Sequence, residues 1–208
     1  MCFPYQSRRA DGLRPRSVAV VTPPRVEPVA LTDAKEHLRI LPENAEDDVY
    51  IQGLISAGRR IVEARLGIAM VATQYRARVC GHVGCSCSCG CNDRGIELPF
   101  PPLLVDEDHP LTVTTNDGLV DPDHYEIDAD SKPAKIVPRK GWRGGAEIIY
   151  WAGMRPGETQ PATLKAAVLL LVGHLYKNRE AVTTDGGALI MPMAFDALVA
   201  AESWSGRF

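Results

Sequence analysis

"QPATLKAAVLLLVGHLYKNRE", residues 160–180, decides the fold. Pro161 suits a first helical turn, where its missing N–H would have had no partner. Leu164, Ala167, Val168, Leu171, Val172 and Leu175 recur at three- and four-residue steps and form one apolar stripe. Leu169 and Leu170 carry apolar character round to the other side. The helix expected over 161–179 is therefore central to a bundle or lies at a subunit contact.

A second helix answers it upstream. "NAEDDVYIQGLISAGRRIVEARLG" offers Asn44 as a cap, then Glu46, Asp47 and Asp48 at the positive end of a helix expected over 45–66. Ile51, Leu54, Ile55, Gly58, Ile61 and Val62 share one face, while Gln52, Ser56, Arg59, Arg60 and Glu63 fall mostly opposite. Gly67 is placed to end the helix in a left-handed turn. Before it, "LTDAKEHLRI" predicts a short helix over 32–39, with Thr32 as N-cap and a stop before Pro42.

Between these helices the apolar period falls to two. In "TQYRARVC", Tyr75, Ala77 and Val79 alternate with Gln74, Arg76 and Arg78, as a half-buried strand requires. "IELP" at 96–99, "LTVTT" at 111–115, "HYEID" at 124–128, "KIV" at 135–137 and "AEIIYWAG" at 146–153 read as further strands. Asn116-Asp117-Gly118 marks a turn. Pro99, Pro101, Pro102 and Pro110 keep their segment at an edge or in a loop. The fold class is α+β: a small helical bundle of two N-terminal helices and one long C-terminal helix, an antiparallel β insertion over about 71–153, and an extended C-terminal tail.

At 208 residues, 45% apolar and 24% charged, the chain has material for one sizeable core. A net charge of −3 advertises neither nucleic-acid binding nor an acidic substrate. Residues 1–30 stand apart. Arg8, Arg9, Arg14, Arg16 and Arg25 face only Asp11 and Glu27 there, prolines are frequent and no period shows, so this stretch reads as an extended basic arm. Its arginines exclude a secretory signal, and "AAVLLLVG" at 166–173 is too short to span a bilayer. No membrane association is expected, and a cytoplasmic setting would keep the thiols reduced.

Five of the six cysteines crowd into "VCGHVGCSCSCGCNDRG", residues 79–95, expected as a hairpin loop over 80–95. Cys85, Cys87, Cys89 and Cys91, or three of them with His82, number enough ligands for a tetrahedral zinc. Along a strand, however, C-x-C sulfurs stand about 7 Å apart, whereas a shared zinc needs about 4 Å. Gly81, Gly84 and Gly90 could bend the chain to close that gap. Zinc, disulfides formed after release from a cell, and a plain loop of small polarizable residues are the three readings; the plain loop is preferred, and no cofactor is assigned.

Other chemistry is sparse. His37 and His174 fall in helices and read as structural, and His109 and His124 are isolated. "VDEDHP" at 105–110, and Asp121, Asp123 and Asp128, read as solvated loop. There is no nucleophile elbow, phosphate loop, H-E-x-x-H or G-x-G-x-x-G. No enzyme is expected.

Six segments in order resemble the head–tail connector, or adaptor, proteins of long-tailed double-stranded DNA phages and related gene transfer agents: "LTDAKEHLRI", "DDVYIQGLISAGRRIVEARLG", "IELPFPPL", "DPDHYEID" with "KIVP", "IIYWAG", and "PATLKAAVLLLVGHLYKNREA". The last, ending in His-x-Tyr-x-Asn-Arg-Glu, is the most specific. The resemblance spans 31 to about 200. It implies that 31–180 is a connector domain and 181–208 a linker with a portal-docking tail. It further implies a dodecameric ring beneath the portal, a stopper or head-completion protein docked below, and DNA passing through the lumen without sequence-specific binding. Assembly would occur in the bacterial host cytoplasm, and the finished location would be the virion neck.

On that resemblance Met191, Met193, Phe195, Leu198, Val199 and Trp204 become the candidate portal grip, since so small an apolar tail suits docking on a partner. Arg59, Arg60, Leu169, Leu170, Tyr176, Arg179 and Glu180 become candidates for the ring interface, which must join two different faces. The cysteine loop and the basic arm lie outside the family pattern. They motivate two other readings, a small cysteine-rich metal-binding or redox protein and a nucleic-acid-binding module.

Overall fold

The computed structural model describes residues 14–79, 95–139, 145–155, 157–179 and 193–202. The chain divides into two compact units. One comprises Met1–Pro23 with Thr73–Ala152, and the other Pro24–Ala72 with Gly153–Phe208.

The first unit is β. Its larger sheet runs β1 (Ser17–Thr22), β2 (Thr73–Val79), β9 (Ala146–Ala152), β5 (Thr112–Thr115) and β6 (Gly118–Leu119), with β4 (Leu103–Leu104) also on β9. A smaller sheet orders β3 (Ile96–Glu97), β8 (Lys135–Pro138) and β7 (Tyr125–Asp128). All pairings between these strands are antiparallel. Period-two patterning sets the register: Tyr75 lies opposite Tyr150 and Ala77 opposite Ile148, all four buried. Arg78 and Glu147, opposite each other on the other face, form an ion pair at 2.8 Å. Asn116-Asp117 makes the two-residue link between β5 and β6, as the turn signal indicated. Tyr150 donates its hydroxyl to the Pro99 carbonyl at 2.9 Å, and burial pushes its ionisation well above the usual phenol range.

Two expectations change here. Residues 17–22, read as free arm, form β1 and pair with β2. The run Ser-Val-Ala-Val-Val-Thr is rich in β-branched residues and lacks charge, so it adds to a sheet readily. The strands that flank the cysteine segment are not paired with each other. β2 ends at Val79 and β3 starts at Ile96, and these strands belong to different sheets. Residues 80–94, with all four candidate zinc ligands, lie outside the described residues.

The second unit is helical: α1 (Leu31–His37), α2 (Asp48–Leu66), α3 (Ala162–Lys177) and α4 (Met193–Glu202). Its core gathers Val29, Ile51, Ile55, Val62, Leu164, Ala167, Val168, Leu171, Val172, Phe195 and Val199. Burying each large apolar side chain stabilises the fold by about 1.5–3 kcal/mol. Gly67 ends α2 at φ 66°, the left-handed cap its position called for. Caps elsewhere differ from expectation. α1 starts one residue before Thr32 with no side-chain cap, and Asn44 closes a turn onto Glu46 N ahead of α2 instead of capping it.

Within the tail, α4 matches the short helix that the apolar spacing of 194–201 predicts, and it packs on α2 and α3. Phe195 is 1% exposed and Val199 5%. Both side chains join the core that α2 and α3 build. Thr163 in α3 donates to Glu202, securing the far end of α4. Among the described residues no helix is long and apolar enough to cross a membrane.

Candidate assembly interface

The end of α3 and the start of α2 build the most organised surface of the helical unit. Asn178 stops α3 by turning both its backbone N–H and its side-chain amide onto the His174 carbonyl, at 3.1 and 2.8 Å. That stop carries Arg179 out beyond the helix. Its guanidinium sits 2.8 Å from the Asp47 carboxylate and 4.8 Å from the ring centroids of both Tyr50 and Tyr176. The Tyr176 hydroxyl donates to the same Asp47 oxygen. The two rings lie 6.1 Å apart, tilted by 43°.

The electrostatics follow from these contacts. The Tyr176 hydroxyl first, and Arg179 second, hold the Asp47 carboxyl below its ordinary range. In return Asp47 pushes the Tyr176 phenol up. The four groups form a neutral, cross-braced platform of two phenols, a guanidinium and a carboxylate. Val49, next to Tyr50 in the chain, is 85% exposed, and Leu41, in the loop entering α2, is 65% exposed. Tyr and Arg braced in place beside exposed aliphatic residues is the composition of a protein-recognition hot spot, since little side-chain freedom is left to lose on binding. The platform presents neither an activated nucleophile nor a proton-transfer pair.

The other ring candidates divide. Arg60 is exposed, and Leu169 and Leu170 are half-buried, Leu169 against the core. Glu180 lies outside the described residues. Arg59 is 8% exposed and makes its bonds within the chain. Its Nε donates to Glu27 at 2.8 Å and a terminal nitrogen to Glu63 at 2.7 Å. Glu63 in turn accepts the Met70 N–H, and Glu27 the Ser56 hydroxyl. A guanidinium buried between two carboxylates braces the segments flanking α2. Burial, only partly offset by Met70 and Arg59, raises the Glu63 carboxyl.

Of the portal candidates, Phe195 and Val199 are buried in the chain's own core, and Leu198 is half-buried against it. Met193 begins α4, and Met191 and Trp204 lie outside the described residues. Over 194–202 the exposed positions of α4 are Ala194, Asp196, Ala197, Ala200 and Ala201.

Among the described residues no group of three His, Cys, Asp or Glu side chains could hold a metal ion. The isolated acids close turns. Asp106 accepts from the Asp108 and His109 backbones and contacts the His109 ring at 2.6 Å, Asp121 caps Asp123, and Asp128 accepts from Ser131.

Tyr176 and Arg179 were named from the sequence as ring candidates; Asp47 and Tyr50, their partners in this cluster, were not. The available signal was local: Tyr176 and Arg179 sit three residues apart, at the end of the apolar stripe.

No family model matches the chain, and no curated protein matches it by sequence. Solved structures do match in fold. A chain in the virion of a native gene transfer agent particle is 20% identical, with a TM-score of 0.62 over 88% of this chain and 93% of that one. A chain in the neck of an empty gene transfer agent particle, computed with C6 symmetry, is 20% identical with a TM-score of 0.63 over 89% and 94%. One in the neck of the native particle, computed with C12 symmetry, is 19% identical with a TM-score of 0.55 over 89% and 93%. At such identities the likeness is one of fold, and it runs nearly end to end in both directions.

Proposed function

We propose that this chain is a structural neck adaptor of a phage or gene transfer agent particle. Copies assemble into a ring under the portal, a stopper protein docks below, and DNA passes through the lumen without being read. The observation that carries this reading is the nearly full-length fold match to chains of particle necks solved under six- and twelve-fold symmetry. The ordered sequence motifs support it independently. So does the platform of Tyr50, Tyr176 and Arg179, a surface suited to another protein and unsuited to catalysis.

In this reading the ring joint is heterologous, and twelve copies close it. Portal contact falls to the residues around α4, with Met191 and Trp204 replacing the buried Phe195 and Val199. A chain of net charge −3 suits a conduit, because phosphates slide past a surface that does not condense on them. The cysteine segment takes no part, and the particle needs no cofactor from this chain. Assembly takes place in the host cytoplasm and ends in the virion neck.

Native mass spectrometry and negative-stain imaging of the full chain, alone and with purified portal rings, test the proposal. Closed rings, or stoichiometric decoration of portal rings, are expected. A strictly monomeric chain that ignores portal rings overturns it.

A further inference from the structure

Asp47, Tyr50 and Tyr176 form a three-walled cage, and its resident is a guanidinium of the same chain. The Arg179 group stands over both rings, 4.8 Å from each centroid, and one of its terminal nitrogens donates to Asp47 at 2.8 Å. Two aromatic faces and a carboxylate are the elements by which proteins hold an organic cation. A planar guanidinium uses both at once, stacking on rings while it donates to oxygen; a lysine ammonium offers no such plane.

Walls and resident are held differently. Asp47 and Tyr50 ride on the start of α2 and Tyr176 on α3, two helices joined through the buried core. The Tyr176 hydroxyl bonds Asp47 directly. The walls therefore keep their places without the resident. Asn178 ends α3 on the His174 carbonyl, so Arg179 lies past the helix, and its side chain is 51% exposed. Exposed cation–π contacts and exposed ion pairs are each weak.

We infer that Asp47, Tyr50 and Tyr176 are a binding site for an arginine side chain of a partner protein, and that Arg179 fills the site until that arginine displaces it. This rests on the reading of the platform as a surface for another protein, and it gives that partner its chemistry. Exchange strands no charge: Asp47 trades one guanidinium for another, and the released Arg179 passes into water.

The test uses the full chain in reductant, with circular dichroism to confirm folding. Arg179→Ala empties the cage. Titrated with ethylguanidinium chloride, against sodium chloride at equal ionic strength, it should show saturable shifts of the Tyr50 and Tyr176 ring resonances by NMR. Methylammonium chloride should bind more weakly. Adding Tyr50→Ala should weaken ethylguanidinium binding by about two- to fivefold, the worth of one exposed cation–π contact. Arg179→Gln, which keeps more of the side chain, repeats the titration should Arg179→Ala lose helix. The second readout is a sign. Followed by native mass spectrometry with and without portal rings, Arg179→Ala should assemble at lower concentration than the wild type, because the competitor is gone, and Tyr50→Ala at higher. Assembly unchanged or weakened in Arg179→Ala overturns the inference, since Arg179 is then no competitor. A folded Arg179→Ala chain that shows no saturable ethylguanidinium shift also overturns it, and leaves the neck reading standing. A wild-type chain that stays monomeric and ignores portal rings removes the neck reading, and the titration alone then decides the cation site.

Discussion

The hydroxyl of Tyr176, near the end of α3, donates to the carboxylate of Asp47, the N-cap residue of α2, and Arg179 completes the same cluster at 2.8 Å. A residue at a helix N-cap ordinarily spends its carboxylate on the free backbone N–H groups of its own first turn. Asp47 makes no such bond. It trades local capping for a link between the two longest helices, and so fixes the aromatic platform that the proposed function uses.

Tyr176→Phe removes the larger of the two contacts that depress the Asp47 carboxyl. A depressed carboxyl contributes stability that is present above its ordinary value of 3.8 and is lost as pH falls through the folded value. The variant should therefore unfold at lower urea than the wild type at pH 7. The gap should close on acidification below the ordinary aspartate range. Urea midpoints at a series of pH values check this, and a pH-independent gap would assign the effect to ring packing.

Arg59→Met separates the buried brace from the exposed platform. Glu63 and Glu27 would then face each other with no cation, and stranding a buried partner in this way costs about 3 kcal/mol. Glu63, already raised by burial, should rise further on losing Arg59. A raised carboxyl disfavours the folded state above its folded value and is relieved as protons bind. The destabilisation in Arg59→Met should hence be full at pH 7 and shrink as pH falls towards that of the raised group, as urea unfolding across pH would show.

The two helices with strict spacing, α2 and α3, were legible because burial on one face leaves a period that local sequence records. The strands β2 and β9 were legible for the same reason at period two. β1 was not. Its apolar residues carry no alternation, because an edge strand half in solvent has no buried face to impose one, and the prolines and arginines around it dominated the composition. The burial of Arg59 was not legible, because Ser56, Arg60 and Glu63 around it in the helix are polar. What buries it is Glu27, thirty-two residues away, a pairing that no periodicity encodes. The tail was legible in part. Phe195 and Val199, four residues apart, announce one apolar helix face, but whether that face meets its own chain or another depends on how much of α2 and α3 is left uncovered.

Phe195→Ala tests that last point directly. With the ring 1% exposed, truncation should destabilise the helical unit by about 3–5 kcal/mol, read as a lowered midpoint in urea for the isolated full chain. A tail whose only purpose was to grip a partner would leave that midpoint unchanged.

Gly153 stands where β9 ends and the chain returns to the helical unit, at φ 109°, a region that side-chain-bearing residues rarely enter. Space is as restrictive as conformation. A Cβ there would lie 2.3 Å from the Val71 carbonyl oxygen, well inside van der Waals contact. The segments around it are cross-tied: Ala72 N donates to the Met154 carbonyl at 3.0 Å, and the Gln160 amide donates to the Met70 carbonyl at 2.6 Å. Gly153→Ala must therefore move backbone that is held on both sides, which costs of order 1–3 kcal/mol for the conformation alone before the clash is counted. The expected outcome is a chain with a markedly lower thermal midpoint. Gly157→Ala, at φ 89° but with nothing within 4 Å of the added atom, bears the conformational cost without the clash and should fall between the two. Equal midpoints for the two variants would show that the Val71 contact does not constrain the return.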